Sequence, residues 1–182
     1  MGMAAPIYWT REMVLALPED GNRYETVHGE LLVSPMPRAL HQLVVFRLAG
    51  MLDRYLAREP RAGQGFAGGD ISWSDDTLVV PDLFVVPIEE ARTLDWSAMH
   101  SLNLVVEVLS PSSLRADRFT KRRLYQEVRI PAYWIVDADA RSVEVWTPDV
   151  RFPAVETERL TWQPAQATNP LVIELAELFR PL

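Results

Sequence analysis

Two stretches of this chain leave little choice about where they fold. Leu78–Val86 and Leu102–Leu109 are apolar at consecutive positions, and each holds a single charged residue, Asp82 in the first and Glu107 in the second. A strand with water on one face alternates apolar and polar residues, whereas a run apolar on both faces belongs at the centre of a sheet covered on both sides. Such a sheet needs covering layers, and the sequence offers them. From Ala39 to about Glu59, the residues Leu40, Leu43, Val44, Leu48, Met51, Leu52, Tyr55 and Leu56 recur at helical spacing, and Arg115–Val128 forms a second helical segment. Strands interrupted by two substantial helices give an α/β or α+β layer around a mixed sheet.

The remaining segments fit that frame. Thr10 reads as an N-cap for a short helix over Arg11–Leu17 that Pro18 ends. Arg23–Val27 and Leu31–Ser34 flank His28-Gly29-Glu30 as a hairpin, and Tyr133–Asp137 with Val143–Thr147 form another. The glycines at 63, 65, 68 and 69 open a strand through Ile71 and Trp73; a further strand is expected near Val155–Leu160 and a short helix at Glu174–Phe179. Glu25, His28, Asp137 and Asp139 fall at turns and strand ends and are read as solvated; Trp134 and Trp146 are read as core. With no repeat and no linker, residues 1–182 are expected to form a single domain, with 1–22 as an N-terminal helix and lead-in and 148–182 as a C-terminal extension.

Composition narrows the chemistry. The absence of cysteine removes disulfides, thiolate metal sites and a cysteine nucleophile. No stretch is apolar enough to span a bilayer and the N-terminus lacks a secretory pattern, so a cytoplasmic protein without a membrane partner is expected. A net charge of −7 argues against nonspecific coating of nucleic acid but leaves a nuclease open, because metal-binding carboxylates add negative charge.

Asp82 and Glu107 are therefore the residues out of place. An ionised carboxylate in an apolar run is costly unless something compensates it. Arginine pairing is one solution; a bound cation is the other, and two carboxylates with backbone carbonyls are hard oxygen ligands that suit Mg2+ or Mn2+. Pro81 cannot donate to a ladder, so the chain is kinked or at an edge just before Asp82. Of the 18 Lys+Arg residues only Lys121 is a lysine. It lies on the helix after the Glu107 strand, one turn after Asp117 and one turn before Tyr125. It either forms a surface ion pair with Asp117 or places a compact ammonium where a metal-bound water or a phosphate would sit. Glu30 either adds a carboxylate or decorates a hairpin, and His41 is either a cap contact or a ligand.

The ordered set Gly29-Glu30-Leu31, His41, Pro81-Asp82, Glu107-Val108-Leu109-Ser110-Pro111-Ser112, Asp117, Lys121, Tyr125 and Tyr133-Trp134-Ile135-Val136-Asp137 resembles the Uma-type putative restriction endonuclease family of the PD-(D/E)xK nuclease superfamily. The resemblance runs from about Arg23 to Thr147. It implies a restriction-endonuclease-like core, a central mixed β-sheet flanked by helices, with a divalent metal at the sheet edge. It implies that Asp82 and Glu107 are metal ligands, that Val108 offers its carbonyl, and that Glu30 and His41 occupy further family positions. The superfamily lysine two residues after the glutamate is replaced here by Leu109, and Lys121 matches a lysine moved to the following helix. Arg129-Ile130 stands where the family usually has Gly-Val. The implied reaction is Mg2+- or Mn2+-dependent hydrolysis of nucleic-acid phosphodiesters, with DNA the expected substrate. A homodimer is expected separately, because cutting both strands needs two sites and the apolar surface is ample. Arg115, Arg118, Arg122 and Arg123 are expected either to hold the nucleic-acid backbone or to form a solvated face. A binding or assembly module with a residual site, or a small-molecule phosphohydrolase, would share the fold.

Overall fold

The computed structural model describes residues 7–182; the first residues of the expected 1–22 lead-in lie outside them. The first helix, α1 (Arg11–Leu15), starts at Thr10, whose hydroxyl accepts from the Met13 N–H. The strands β1 (Arg23–Val27) and β2 (Glu30–Ser34) pair antiparallel around His28 and Gly29, both at positive φ (51° and 78°) as a tight two-residue hairpin turn requires. A side chain at Gly29 would also run into the Tyr8 ring. The long helix α2 (Ala39–Arg58) follows, then β3 (Gln64–Phe66), β4 (Ile71–Ser74), β5 (Thr77–Val79), β6 (Leu83–Val86), the single turn α3 (Ile88–Ala91) and β7 (Leu104–Val108). A π-helical stretch, Ala116–Lys121, runs straight into α4 (Arg122–Glu127). The chain closes with β8 (Tyr133–Asp137), β9 (Ser142–Trp146), β10 (Ala154–Glu156), β11 (Arg159–Trp162), β12 (Leu171–Glu174) and α5 (Leu175–Leu178).

The central sheet is six-stranded and mixed, in the order β10-β9-β8-β7-β6-β3. Only β7 and β8 run parallel, because the π and α4 helical segment carries the chain back to the same end between them. Side chains alternate across this sheet. Leu83, Val85, Leu104, Val106, Val108, Trp134 and Val136 meet α2 residues such as Val44, Leu48 and Leu52, together with Leu160, Trp162 and Ile173 of the C-terminal hairpin. Phe84, Val86, Val105, Tyr133 and Ile135 pack on the opposite side with Val27, Ile71, Leu124 and Tyr125. Alternation with Val106 and Val108 puts Glu107 on this second side, toward α4.

Two expectations are corrected and one strand is added. Leu78–Val86 is not one strand: β5 belongs to a four-stranded sheet, β2-β1-β5-β4, and β6 to the central one. The change of sheet falls at Val80-Pro81-Asp82, where the missing proline N–H breaks the ladder. The stretch Val155–Leu160 likewise divides, β10 pairing with β9 and β11 with β12. The glycine-rich segment supplies an edge strand, β3, that composition did not suggest, because Gly63 (φ 122°) turns the chain where a side chain would strike Val86. No helix among the described residues is long and apolar enough to cross a membrane.

The C-terminal hairpin is tied to the sheet by aromatic contacts. Trp162 lies edge-on to Trp134 at 6.1 Å and tilted against Tyr55 at 5.9 Å. Trp162→Ala is expected to cost about 3–5 kcal/mol in chemical denaturation. A loss under about 1 kcal/mol would show that the hairpin does not share the core's cooperativity.

Candidate active site

The chain crosses between sheets at Asp82, and this crossover aims the carboxylate at the end of β7. Its Oδ2 accepts from the Val108 N–H at 2.8 Å and lies 3.0 Å from His41 Nε2; its Oδ1 accepts from Arg23 Nη1 at 3.0 Å. Burial pushes the carboxyl pKa up, but His41, Arg23 and the Val108 N–H together outweigh burial and hold it below the ordinary range. Asp82 is thus a buried anion with both oxygens engaged.

Glu107 and Lys121 form the second half. Lys121 Nζ lies 3.0 Å from Glu107 Oε1, 2.8 Å from Glu25 Oε2 and 3.6 Å from Asp117 Oδ1. All four side chains are buried, Lys121 itself only 3% exposed. Burial alone would lower the lysine pKa, yet Glu107, Glu25 and Asp117 outweigh it and raise it well above its usual value. Lys121 is therefore an ammonium, able to donate hydrogen bonds and neutralise charge but not to act as a base. The opposite imbalance falls on Glu107: burial raises its pKa well above normal, Lys121 opposes the rise, and Asp117, Asp82 and Glu25 add to it. Tyr125 donates to the same Glu107 Oε1 at 3.1 Å, and burial keeps its phenol protonated.

Local structure sets this geometry. In the π-helical stretch the Arg122 N–H bonds to the Asp117 carbonyl, which also accepts from Tyr133 Oη at 3.0 Å. Turns of this kind are uncommon and gather at functional sites. Asp117 is left with Oδ1 buried and without a hydrogen-bond partner among the described residues. A pocket of about 490 Å³ opens onto the cluster, lined by Arg23, Glu25, His41, Asp82, Glu107 and Lys121 among others, with Val108 and Asp117 on its wall.

The structure brings together Asp82, Glu107, Val108, Lys121 and His41, but not Glu30, which is exposed at the far end of the β1–β2 hairpin on other surface hollows. Glu30 is separated because the hairpin carries it past the turn, away from the pocket end of β1. Of the arginines, Arg118 is held by Glu144 at 2.7 Å and Asp137 at 3.6 Å, and Arg122 lies 4.8 Å above the Trp146 ring. Arg123 pairs with Glu127 at 2.8 Å, and Arg115 is exposed. The Asp117–Lys121 pair is buried rather than superficial, and Glu25, expected in solvent, is 2% exposed. Its signal was available: two-residue periodicity puts Glu25 on the same side of β1 as the buried Val27. Arg23 sits on that side as well.

A family model described as Uma2, putative restriction endonuclease, matches residues 11–176. The chain belongs to this family. A solved structure described as a putative nuclease belonging to DUF820 from Anabaena variabilis ATCC 29413 matches with a TM-score of 0.76 and 22% identity, over 94% of this chain and 97% of that one. At that identity the likeness shows a common fold. No curated protein matches.

The Uma2 resemblance implies a divalent ion, and the residues present can be tested for it. Among the described residues no three His, Asp or Glu side chains are arranged to hold an ion by themselves. The donor set that fits is two carboxylates, Asp82 and Glu107, with the Val108 backbone, all on the pocket wall. Charge fits too. Glu25, Asp82, Glu107 and Asp117 face Lys121, Arg23 and His41, and the Glu107 pKa is raised first by burial and then by the neighbouring carboxylates Asp117, Asp82 and Glu25. Both hydrogen bonds to Glu107 fall on Oε1, leaving Oε2 without one among the described residues.

Lys121→Met would leave Glu25, Glu107 and Asp117 without their shared cation, and a loss of about 3–5 kcal/mol in denaturant stability is expected. Adding Glu25→Gln to that variant should recover part of the loss, since one buried charge is removed with its partner. Lys121→Met at wild-type stability would contradict the buried network.

Proposed function

We propose that this Uma2-family chain is a nuclease that hydrolyses nucleic-acid phosphodiester bonds, DNA being the substrate, with a Mg2+ or Mn2+ ion. The observation that carries the reading is the burial of the chain's one lysine against Glu107, in a pocket that also holds Asp82. Asp82, Glu107 and the Val108 carbonyl would hold the ion. When bound, it supplies positive charge to the phosphate and a water of lowered pKa.

The chain's own residues have defined tasks. Lys121, an ammonium at neutral pH, donates to the attacking water or to the charge that grows on the phosphate oxygens. Glu25 and Asp117 fix its position at one end and Tyr125 fixes Glu107 at the other. His41 and the Val108 N–H orient Asp82. Arg115, which is exposed, would contact the nucleic-acid backbone, whereas Arg118 and Arg122 serve the fold through Glu144 and Trp146. Cleavage of both strands of a duplex requires two such sites, and a homodimer would supply them.

The test is nicking of supercoiled plasmid, beside linear and single-stranded DNA, with Mg2+ or Mn2+. Asp82→Asn, Glu107→Gln and Lys121→Ala are each expected to slow cleavage by about 100-fold or more, and Glu30→Gln by less than about 2-fold. Cleavage that survives Asp82→Asn and Lys121→Ala would remove this site from the reaction. Salt-sensitive DNA binding without cleavage would instead identify a binding module.

A further inference from the structure

Lys121 does not solve the electrostatic problem of this pocket. A phosphodiester entering it meets Glu25, Asp82, Glu107 and Asp117, while the Lys121 ammonium is already surrounded by three of these carboxylates. An anionic ligand needs a cation closer to solvent. Arg23 is the one arginine on the pocket wall among the described residues, and its side chain keeps 32% exposure. Its hydrogen bonds, to Asp82 Oδ1 at 3.0 Å and to the Val80 carbonyl at 3.1 Å, both leave from Nη1. The rest of the guanidinium fork makes no hydrogen bond among the described residues.

Asp82 holds its neighbours unequally. Its Oδ2 is fixed from two buried directions, by His41 and by the Val108 N–H, whereas among the described residues Oδ1 accepts only from the partly exposed Arg23. Exchange of one cation for another is therefore easiest at Oδ1, where the departing group can return to water. Among the described residues no other cationic group of the pocket can make this exchange: His41 is 5% and Lys121 3% exposed.

We propose that Arg23 is an exchangeable cation, holding Asp82 Oδ1 in the absence of metal, yielding that oxygen to the divalent ion, and then binding the substrate phosphodiester at the pocket mouth. This rests on the metal-dependent nuclease reading given above. Arginine suits both tasks, because its planar fork pairs with a carboxylate and with a phosphate in similar geometry and keeps its charge throughout. Position suits it as well. Arg23 opens β1 and is half-exposed, while Glu25, two residues further on the same side, stays on Lys121 and on the Val80 N–H at 2.7 Å. The guanidinium can therefore leave Asp82 while the lysine anchor stays in place.

The test compares wild type with Arg23→Gln in two measurements on the full chain: calorimetric titration with Mn2+ alone, and steady-state cleavage of a short labelled DNA duplex with saturating Mn2+. Removing a competitor for Asp82 should tighten Mn2+ binding by about 5-fold. Removing a phosphate contact should raise KM by about 10-fold while kcat changes by less than about 3-fold. A residue that only supports the fold would not strengthen metal binding when removed. Unchanged or weaker Mn2+ affinity, or an unchanged KM, overturns the proposal. If the wild type binds Mn2+ and cleaves DNA, those results overturn the exchange alone; if it does neither, the parent reading falls and the exchange with it. Should Arg23→Gln fail to fold by circular dichroism, Arg23→Lys, which keeps the charge but loses the fork, must show the same two changes in smaller degree.

Discussion

One ammonium shared by three buried carboxylates is the interaction on which the site depends. Glu107 comes from the central sheet, Glu25 from the neighbouring sheet, and Asp117 and Lys121 from the helical segment laid over both. Without the cation, these carboxylates would have to take up protons or leave the interior. With it, two sheets and a helix are fixed against one another at the place where the pocket opens. The same contacts that hold Lys121 also explain why it cannot be an arginine like the other basic residues. The three oxygens within 3.6 Å leave room for a compact group on a thin stem rather than a flat fork.

The break at Pro81 is the second constraint. A continuous strand from Leu78 to Val86 would carry Asp82 within one sheet; by ending β5 and starting β6, the chain turns Asp82 onto the Val108 N–H at the end of β7. Glu25 bridges this break, since its Oε1 accepts the Val80 N–H and its Oε2 meets Lys121. The Asp82 side and the lysine side are thereby joined through one carboxylate.

Sequence made the centre of this arrangement legible because burial of a charge in an apolar run leaves a visible contradiction. Asp82 and Glu107 were such contradictions, and the lone lysine drew notice by its rarity. Glu25 and Arg23 left a fainter trace, for they sit in a short strand of mostly polar residues that looks like an ordinary hairpin. What buries Glu25 is the pairing of β1 with β5 and the helix above it, neither of which local composition specifies. Glu30 misled for the opposite reason: it occupies a family-like position next to a turn glycine, but strand direction takes it away from the pocket. The divided strands around Pro81 and Val155–Leu160 show the same limit, since an apolar run states that a segment is buried and not which sheet it joins.

A crystal grown with Mn2+ and measured for its anomalous scattering examines directly the proposal that Asp82 and Glu107 hold one cation. The expected map has a single strong peak bonded to Asp82 and Glu107, with Lys121 beside it and Arg23 drawn off Asp82 Oδ1. A map with Arg23 still on Asp82 and no peak in this pocket, or with the ion bound elsewhere on the protein, would contradict it.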